Sequence, residues 1–178
     1  MYDSVEIKLK ASKIKLAAFD VDGVMTDGSL IYLPDGSEAK AFNAKDGLGL
    51  SLLSAAGIKT VIITAKDSNV VIKRAETLNF TKVFLNQKNK LVALDSICEE
   101  FSIGYDEILY MGDDLPDIDV LKAVGLSVCP CDAIDDVKNI CDVVTNKAGG
   151  KGAVREICDF LLRVKGLSFK DLRRPTNQ

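Results

Sequence analysis

The stretch that decides the fold is Ile14-Lys15-Leu16-Ala17-Ala18-Phe19-Asp20-Val21-Asp22-Gly23. Its apolar run leads directly into two aspartates, which is typical of a buried strand that ends in acidic residues. Because side chains alternate along a strand, Asp20 and Asp22 can point to the same side, and Gly23 permits a sharp turn away from them. Open α/β sheets bind ligands at the carboxyl ends of their strands, so this pattern predicts a ligand site.

The two carboxylates need a counter-charge. At about 4 Å they repel each other by roughly 4 kcal/mol at an effective dielectric constant near 20. A bound divalent cation would relieve this repulsion, whereas the alternative is an ordinary acidic turn without a ligand. The sequence contains no histidine, which excludes histidine-dependent triads and imidazole-ligated metal sites. The available residues therefore favour an oxygen-ligated ion such as Mg²⁺.

Strand-like and helix-like segments alternate along the rest of the chain. Strands are predicted at residues 14–19, 59–64, 82–85, 108–111, 125–128 and, more briefly, 142–144. Helices are predicted at residues 46–56, 68–78, 89–101, 117–123 and 152–164. This alternation predicts an α/β fold with a doubly wound parallel sheet. The length of 178 residues and the 47% hydrophobic content suit a single domain over residues 1–178.

A β-hairpin is predicted at about residues 28–43, between the acidic pair and the first long helix. Two short strand-like runs there flank Pro34-Asp35-Gly36, a composition typical of turns. The hairpin should stand over the acidic pair as a flap. The apolar side chains of Leu30-Ile31-Tyr32-Leu33 cannot all face its own sheet. In the tail at about 166–178, we expect Leu167 and Phe169 to lack cover and residues 173–178 to be disordered.

Further polar residues follow the later strands. Thr64 ends the second predicted strand and can donate its hydroxyl to an anion. Lys90 begins a helix, where the helix dipole disfavours a cation, and this placement favours a role in contacting phosphate. Lys88, two positions earlier, is the alternative candidate for that role. The segment Gly112-Asp113-Asp114-Leu115-Pro116-Asp117 follows the fourth strand, and its last residue either caps the next helix or supports the site.

These four motifs, in this order and at strand ends, resemble the haloacid dehalogenase-like phosphohydrolases. The resemblance implies that Asp20 is a nucleophile that forms an aspartyl-phosphate and that Asp22 is the general acid and base. It implies that Thr64 and Lys90 contact the phosphoryl group. The Mg²⁺ ligands that it implies are Asp20, Asp22 through its carbonyl oxygen, Asp113 and Asp114. Asp113 is the stronger candidate for a direct ligand at the second acidic motif.

Two further segments resemble the phosphatases of eight-carbon sugar-acid phosphates. They are Phe42-Asn43-Ala44-Lys45-Asp46-Gly47-Leu48-Gly49 and Gly149-Gly150-Lys151-Gly152-Ala153-Val154-Arg155-Glu156. No interval has room for a cap domain, and the resemblance covers roughly residues 14–165. It implies a substrate such as 3-deoxy-D-manno-octulosonate 8-phosphate, a role in lipopolysaccharide or related surface-glycan synthesis, and a homotetramer with active sites at subunit boundaries. The candidate substrate-binding residues are Asn43, Asp46, Thr64, Lys66, Lys90, Gly150 and Lys151.

One departure from this family leaves the substrate open. The chain has Thr64-Ala65-Lys66 where those phosphatases usually have Thr-Gly-Arg, and lysine lacks the bidentate fork of arginine. A related phosphatase of nine-carbon sialic-acid-type 9-phosphates varies at the same place and is the alternative. A second alternative is a protein without catalytic activity, either a binding module or a signalling receiver domain. The predicted strand at 82–85 ends without the aspartate of a receiver, which disfavours that fold.

Composition excludes several other classes. Basic and acidic residues, 23 and 26 in number, are mixed along the chain, so neither a nucleic-acid-binding nor a membrane-binding patch is predicted. No apolar run reaches the length of a membrane span, and residues 1–6 lack the features of a secretory signal, so we expect a cytoplasmic protein. The cysteines, expected to be reduced and mostly buried, are Cys98, Cys129, Cys131, Cys141 and Cys158. A metal or redox role for the Cys129-Pro130-Cys131 segment is the weaker alternative.

Overall fold

The computed structural model describes residues 4–172 and contains a six-stranded parallel sheet and a two-stranded hairpin. The strands are β1 Leu16–Phe19, β2 Ile31–Tyr32, β3 Glu38–Ala39, β4 Lys59–Ile63, β5 Lys82–Phe84, β6 Ile108–Met111, β7 Leu126–Cys129 and β8 Val143–Val144. The α-helices are α1 Val5–Lys13, α2 Ala44–Ala55, α3 Asn69–Leu78, α4 Lys90–Phe101, α5 Ile118–Ala123, α6 Asp135–Lys138, α7 Ala153–Val164 and α8 Phe169–Leu172. Short 3₁₀ helices span Tyr105–Glu107 and Leu115–Asp117.

The order of the strands places β1 inside the sheet. The order is β5-β4-β1-β6-β7-β8, and every pair is parallel. The chain moves outward from β1 through β4 and β5, then returns and moves outward in the other direction from β6. The connections that follow β1 and β6 therefore run in opposite directions along the sheet. Doubly wound sheets bind ligands at such a point, between the two strands. Asp20 and Asp113 follow these two strands. The predicted doubly wound fold is confirmed.

The sheet is covered on both faces by helices, and the side chains of β1 show how. Ala17 and Phe19 belong to a core formed with α1, α2, α3 and α7. Leu16 and Ala18 face the opposite core, formed with α4, α5 and α6. All four are completely buried, so β1 is apolar without alternation, as expected of a strand covered on both faces.

The predicted hairpin is present. Strands β2 and β3 are antiparallel, and the amide of Leu33 donates to the carbonyl of Ser37 across the turn. Gly36 in this turn has a φ of +82°, a conformation that favours glycine. The apolar side chains before the turn are 44–69% exposed; they are Leu30, Ile31, Tyr32 and Leu33. Within this chain they remain uncovered, as the sequence predicts.

Helices α1, α6 and α8 are not among the predicted elements. Ser4 caps α1 by accepting a hydrogen bond from the amide of Ile7 at 3.1 Å, but Val5 and Leu9 on the same helix are exposed. The apolar residues of α1 therefore form no single stripe from which a helix can be inferred. Helices α6 and α8 have only four residues each. Both are too short for a periodic pattern.

The C-terminal region differs from expectation in one respect. Leu167, expected to lack cover, packs half-buried against the chain's own core, as does Leu172 of α8. The side chain of Phe169 and the predicted disordered segment, residues 173–178, lie outside the described residues. Residues 23–58 contain the hairpin and α2, and residues 64–89 contain α3 and β5, so neither interval of the described chain holds a cap domain.

All five cysteines are free. Cys129 and Cys158 are buried and Cys98 and Cys141 are half-buried, whereas Cys131 is exposed and is the exception to the expected burial. Among residues 4–172, no helix combines the length and the apolar character needed to cross a membrane.

Candidate active site

Asp20 lies at the junction of the two central strands. Its amide donates to the carbonyl of Met111 at 3.0 Å and so continues the pairing of β1 with β6. Its Oδ1 accepts from the amide of Val21 at 2.7 Å, and its Oδ2 lies 2.8 Å from Nζ of Lys90. Burial raises the pKa of Asp20 to about 6, with Lys90 opposing this rise and Asp117 adding to it. The carboxylate is therefore fixed at the carboxyl edge of the sheet.

Asp117 connects the two motifs that flank this edge. Its Oδ1 accepts from Nζ of Lys90 at 2.6 Å and from the hydroxyl of Tyr110 at 2.5 Å. Its Oδ2 accepts from the amides of Asp113 and Asp114 at 2.9 and 3.3 Å. Its side chain makes no capping bond to α5. Of the two roles considered for Asp117, the contacts therefore match support of the site.

Lys90 occupies the space between two carboxylates. Its side chain is 2% exposed and contacts Asp20, Asp117 and the Tyr110 hydroxyl, the last at 3.1 Å. Burial lowers the pKa of Lys90, but the nearby charges of Asp20 and Asp117 outweigh burial and raise it overall. The side chain is therefore a permanent ammonium at the site. Its position at the first residue of α4, unfavourable for the helix dipole, is explained by these ion pairs.

Asp113 faces Asp20 from the end of β6. Burial and the charge of Asp20 raise the pKa of Asp113 to about 8. Its Oδ1 is buried without a hydrogen-bond partner. A Cβ atom at Gly23, where φ is +84°, would lie 2.0 Å from its Oδ2, so only glycine fits there. The loop after β1 is thus shaped around the Asp113 carboxylate.

These carboxylates fit a divalent cation. Oxygen atoms of Asp20, Asp113 and Asp117 lie within 4.8 Å of one another. Both oxygens of Asp117 already accept hydrogen bonds, so Asp20 and Asp113 are better placed as ligands. Asp113 Oδ1 has lone pairs that no protein donor uses. Carboxylate oxygens in an anionic group are the ligands of hard ions such as Mg²⁺.

The other two predicted metal ligands lie differently. The Asp114 side chain is exposed and accepts from the amide of Leu115 at 2.7 Å. The side chain of Asp22 turns towards the flap, where its Oδ1 lies 2.5 Å from Nζ of Lys40 and its Oδ2 lies 3.2 Å from Nζ of Lys66. Burial opposes ionisation of Asp22, but hydrogen bonds and charges of both lysines lower its pKa overall. Neither side chain belongs to the group of converging carboxylates.

The remaining predicted binding residues divide between the site and its surroundings. Thr64 is buried at the end of β4, and its hydroxyl accepts from the amide of Lys66 at 3.4 Å. Nζ of Lys151 pairs with Asp27 at 3.0 Å on the exposed side of the loop that follows β1. Asp46 is 3% exposed, and its Oδ1 accepts from the amide of Arg155 at 2.8 Å. Asp46 therefore joins α2 to the first turn of α7.

The loop before α7 packs directly on the loop after β1. A Cβ atom at Gly149 would lie 1.8 Å from the carbonyl oxygen of Gly23. The amide of Gly150 donates to the carbonyl of Val24 at 3.0 Å, and its own carbonyl accepts from Nδ2 of Asn43 at 3.1 Å. Asn43 and Gly150, predicted to bind substrate, thus meet behind the loop that carries Asp22. There they hold that loop in place.

Comparisons with known proteins identify the family of this chain. Residues 63–157 match the model of the haloacid dehalogenase-like hydrolases. The 3-deoxy-D-manno-octulosonate 8-phosphate phosphatase of Escherichia coli K12 is 41% identical over 92% of this chain and 87% of its own length. This chain belongs to the haloacid dehalogenase-like hydrolase family. The resemblance inferred from the motifs, including that to the phosphatases of eight-carbon sugar-acid phosphates, is confirmed.

Solved structures of the family superimpose closely. The 3-deoxy-D-manno-octulosonate 8-phosphate phosphatase of Moraxella catarrhalis, in complex with magnesium, phosphate and 3-deoxy-D-manno-octulosonate, has a TM-score of 0.88 and 40% identity. The match covers 89% of this chain and 91% of that chain. The cobalt-bound enzyme of Haemophilus influenzae has a TM-score of 0.85 and 36% identity, covering 88% and 92%.

Three side chains at the site of this hydrolase were not found from the sequence. Tyr110 is a single polar side chain in the otherwise apolar β6. Glu38 and Lys40 lie two positions apart at the end of the flap, and both contact the charged groups around Asp22. The available signal was a pair of charged residues two positions apart, the first in a short strand and the second just after it.

We expect the stability of the metal-free protein to fall as pH rises. The pKa values of Asp20 and Asp113 lie at about 6 and about 8, above the ordinary 3.8, so the folded state binds more protons than the unfolded state between these limits. The free energy of unfolding then decreases from about pH 4 to pH 8. Thermal unfolding in EDTA should give a lower Tm at pH 8 than at pH 5. Each kcal/mol lost from the free energy of unfolding should lower the Tm by about 2–4 °C.

Added Mg²⁺ should raise the Tm most at pH 8, because it binds the ionised carboxylates of the folded state. The matched variant is Asp113→Asn, which removes the titrating group while keeping its shape. It should reduce both the pH dependence and the Mg²⁺ effect. A Tm that depends on neither pH nor Mg²⁺ in the unmodified protein contradicts the arrangement.

Proposed function

We propose that this protein is a Mg²⁺-dependent phosphatase that hydrolyses 3-deoxy-D-manno-octulosonate 8-phosphate through an aspartyl-phosphate. The observation that carries the proposal is the position of Asp20 between the Lys90 ammonium and the Asp113 carboxylate at the carboxyl ends of β1 and β6. Relatives with this substrate in their names, 41% and 40% identical to this chain, support the same assignment. Such an enzyme would act in the synthesis of lipopolysaccharide or a related surface glycan.

In the first step a carboxylate oxygen of Asp20 attacks the phosphorus atom. A bond forms between Asp20 and phosphorus, and the bond between phosphorus and the sugar oxygen breaks. Lys90 and the Thr64 hydroxyl stabilise negative charge on the phosphoryl oxygens. Asp22, which must first take up a proton from solvent because Lys40 and Lys66 lower its pKa, donates that proton to the leaving sugar oxygen. Mg²⁺, held by Asp20, Asp113 and the carbonyl of Asp22, supplies further positive charge when bound.

In the second step a water molecule attacks the phosphorus atom of the aspartyl-phosphate. Asp22, now ionised, accepts a proton from this water, and the bond between Asp20 and phosphorus breaks. Phosphate leaves, and Asp20 returns to its starting form. Asp117 takes no part in bond making; it holds Lys90 and the loop that carries Asp113.

The substrate is tested by comparing phosphate release from two sugar acids. We expect kcat/KM for the eight-carbon 8-phosphate to exceed that for the nine-carbon sialic-acid-type 9-phosphate by at least about tenfold, equivalent to 1.4 kcal/mol of transition-state binding. The p-nitrophenyl phosphate ester serves as a generic comparison. A preference for the nine-carbon compound would transfer the assignment to the alternative suggested by Lys66. Release from none of the three would favour a binding module.

The nucleophile is tested by the Asp20→Asn variant. The amide has nearly the shape of the carboxylate but cannot attack phosphorus, so turnover should fall by several orders of magnitude while the fold persists. Asp22→Asn should reduce turnover of the sugar phosphate by about 10²–10⁴-fold, the usual contribution of general acid catalysis. The matched control is Asp106→Asn, an exposed aspartate before β6 at the opposite edge of the sheet. Activity retained by a well-folded Asp20→Asn protein would rule out the aspartyl-phosphate.

We also propose that the protein is a homotetramer whose active sites lie at subunit boundaries. The number is implied by the resemblance to the family, and the absence of a cap domain supports the boundary position. The site has no cap domain, and the flap beside it exposes Leu30, Ile31, Tyr32 and Leu33 together. A neighbouring subunit that covers these side chains would also exclude water from the site.

A charge on the flap should disrupt this assembly. We expect Tyr32→Glu to sediment as a smaller species than the unmodified protein and to lose activity on the sugar-acid phosphate. Tyr32 is 69% exposed, and the matched control is Val5→Glu on α1, an apolar residue that is 74% exposed. This control should change neither property. An unmodified protein that sediments as a fully active monomer would refute the proposal.

A further inference from the structure

We infer that Lys40 is a positioning residue for Asp22, so that the flap orients the acid and base of the reaction as well as covering the site. This inference rests on the proposed phosphatase function. It concerns a buried ammonium for which neither the aspartyl-phosphate chemistry nor the core provides a role. The side chain of Lys40 is 1% exposed, an unusual position for lysine in a flap that is otherwise open to solvent.

The contacts fix both oxygens of the Asp22 carboxylate. Nζ of Lys40 lies 2.5 Å from Oδ1, and Nζ of Lys66 lies 3.2 Å from Oδ2. The two ammonium groups differ in environment, because the Lys66 side chain is 42% exposed. Ion pairs of exposed lysines are weakened by water and salt, whereas buried pairs are not. Lys40 is therefore the stronger of the two restraints on Asp22.

Glu38 completes the group. Its Oε2 lies 3.3 Å from Nζ of Lys40, and its Oε1 lies 3.6 Å from Nζ of Lys66. Two carboxylates thus face two ammonium groups, and the buried charge of Lys40 is balanced. Glu38 belongs to β3, and Lys40 follows the end of this strand directly, so both side chains come from the same arm of the flap. The orientation of Asp22 therefore depends on the position of the flap.

Orientation matters because proton transfer requires the donor oxygen within hydrogen-bond reach of the leaving oxygen. Asp22 lies beyond the end of β1, so no strand pairing fixes its side chain. A freely rotating carboxyl group would be in the productive position only part of the time. The resulting loss of rate would be largest for an alkoxide leaving group, which needs a proton. It would be smallest for p-nitrophenolate, which leaves as a stable anion.

The test compares kcat/KM of the Lys40→Met variant on three substrates. They are the sugar-acid 8-phosphate, glycerol 3-phosphate and p-nitrophenyl phosphate. We expect kcat/KM on both alkyl phosphates to fall by at least about tenfold more than on the aryl phosphate, within the 10²–10⁴-fold range of general acid catalysis. Lys40→Arg, which keeps the charge, should restore most of this difference. The matched control is Lys122→Met, an exposed lysine in the last turn of α5.

The inference also predicts that Lys40 acts through Asp22. In an Asp22→Asn background, Lys40→Met should produce no further difference between alkyl and aryl phosphates, since the group it orients is already lost. Glu38→Gln, which leaves the Lys40 charge in place, provides a second variant if Lys40→Met fails to fold. It should produce the same selective loss, to a smaller extent.

The other outcomes overturn the inference. An equal loss on all three substrates means that Lys40 is only structural. A loss confined to the sugar-acid phosphate means that Lys40 binds the substrate carboxylate instead of orienting Asp22. An additive effect in the Asp22→Asn background excludes action through Asp22. If the unmodified protein releases phosphate from none of the substrates, the proposed function fails, and the inference fails with it.

Discussion

The ion pairs of Lys90 with Asp20 and Asp117 are the interaction on which the site depends. A charge buried without a partner is strongly unfavourable, and removing one member of a buried pair typically destabilises a protein by about 3–5 kcal/mol. Here the Lys90 ammonium lies between the carboxylates of Asp20 and Asp117. The Asp117 carboxylate also accepts hydrogen bonds from the Tyr110 hydroxyl and from the amides that follow β6. The strand ends and the turn are thereby joined through charged groups, which is why a buried lysine can begin a helix.

Around this centre, one loop receives contacts from two sides. The loop after β1 carries Asp22, whose carboxylate is held by Lys40 of the flap. From the other side, Gly149 approaches the carbonyl of Gly23 more closely than any side chain would permit. Residues separated by more than a hundred positions in sequence thus contact the same short loop. The loop is thus contacted by the core on one side and by the buried Lys40 side chain of the flap on the other.

Most of the fold follows from local patterns, whereas the charged contacts do not. Apolar runs located β1, β4 and β6 to within two residues, because strands buried on both faces have little tolerance for polar residues. Asp20 and Asp113 were found because they follow such strands. Lys40 and Tyr110 were not, because Tyr110 lies within the apolar strand β6 and Lys40 follows a short strand of the exposed flap. Asp46 was predicted to contact substrate, and the structure shows its carboxylate buried against the first turn of α7, a contact that the sequence did not reveal.

The pairing of β1 with β6 has a consequence for the synthesis of the chain. Asp20 is translated before the strand beside it, which ends at Met111, and before the glycine that packs on its loop, Gly149. Until those residues have left the ribosome, β1 has an unpaired edge and its acidic end has neither Lys90 nor Asp117 to balance it. Contacts so distant in sequence form late. The nascent chain therefore carries this fully apolar strand with one edge unpaired until β6 has emerged.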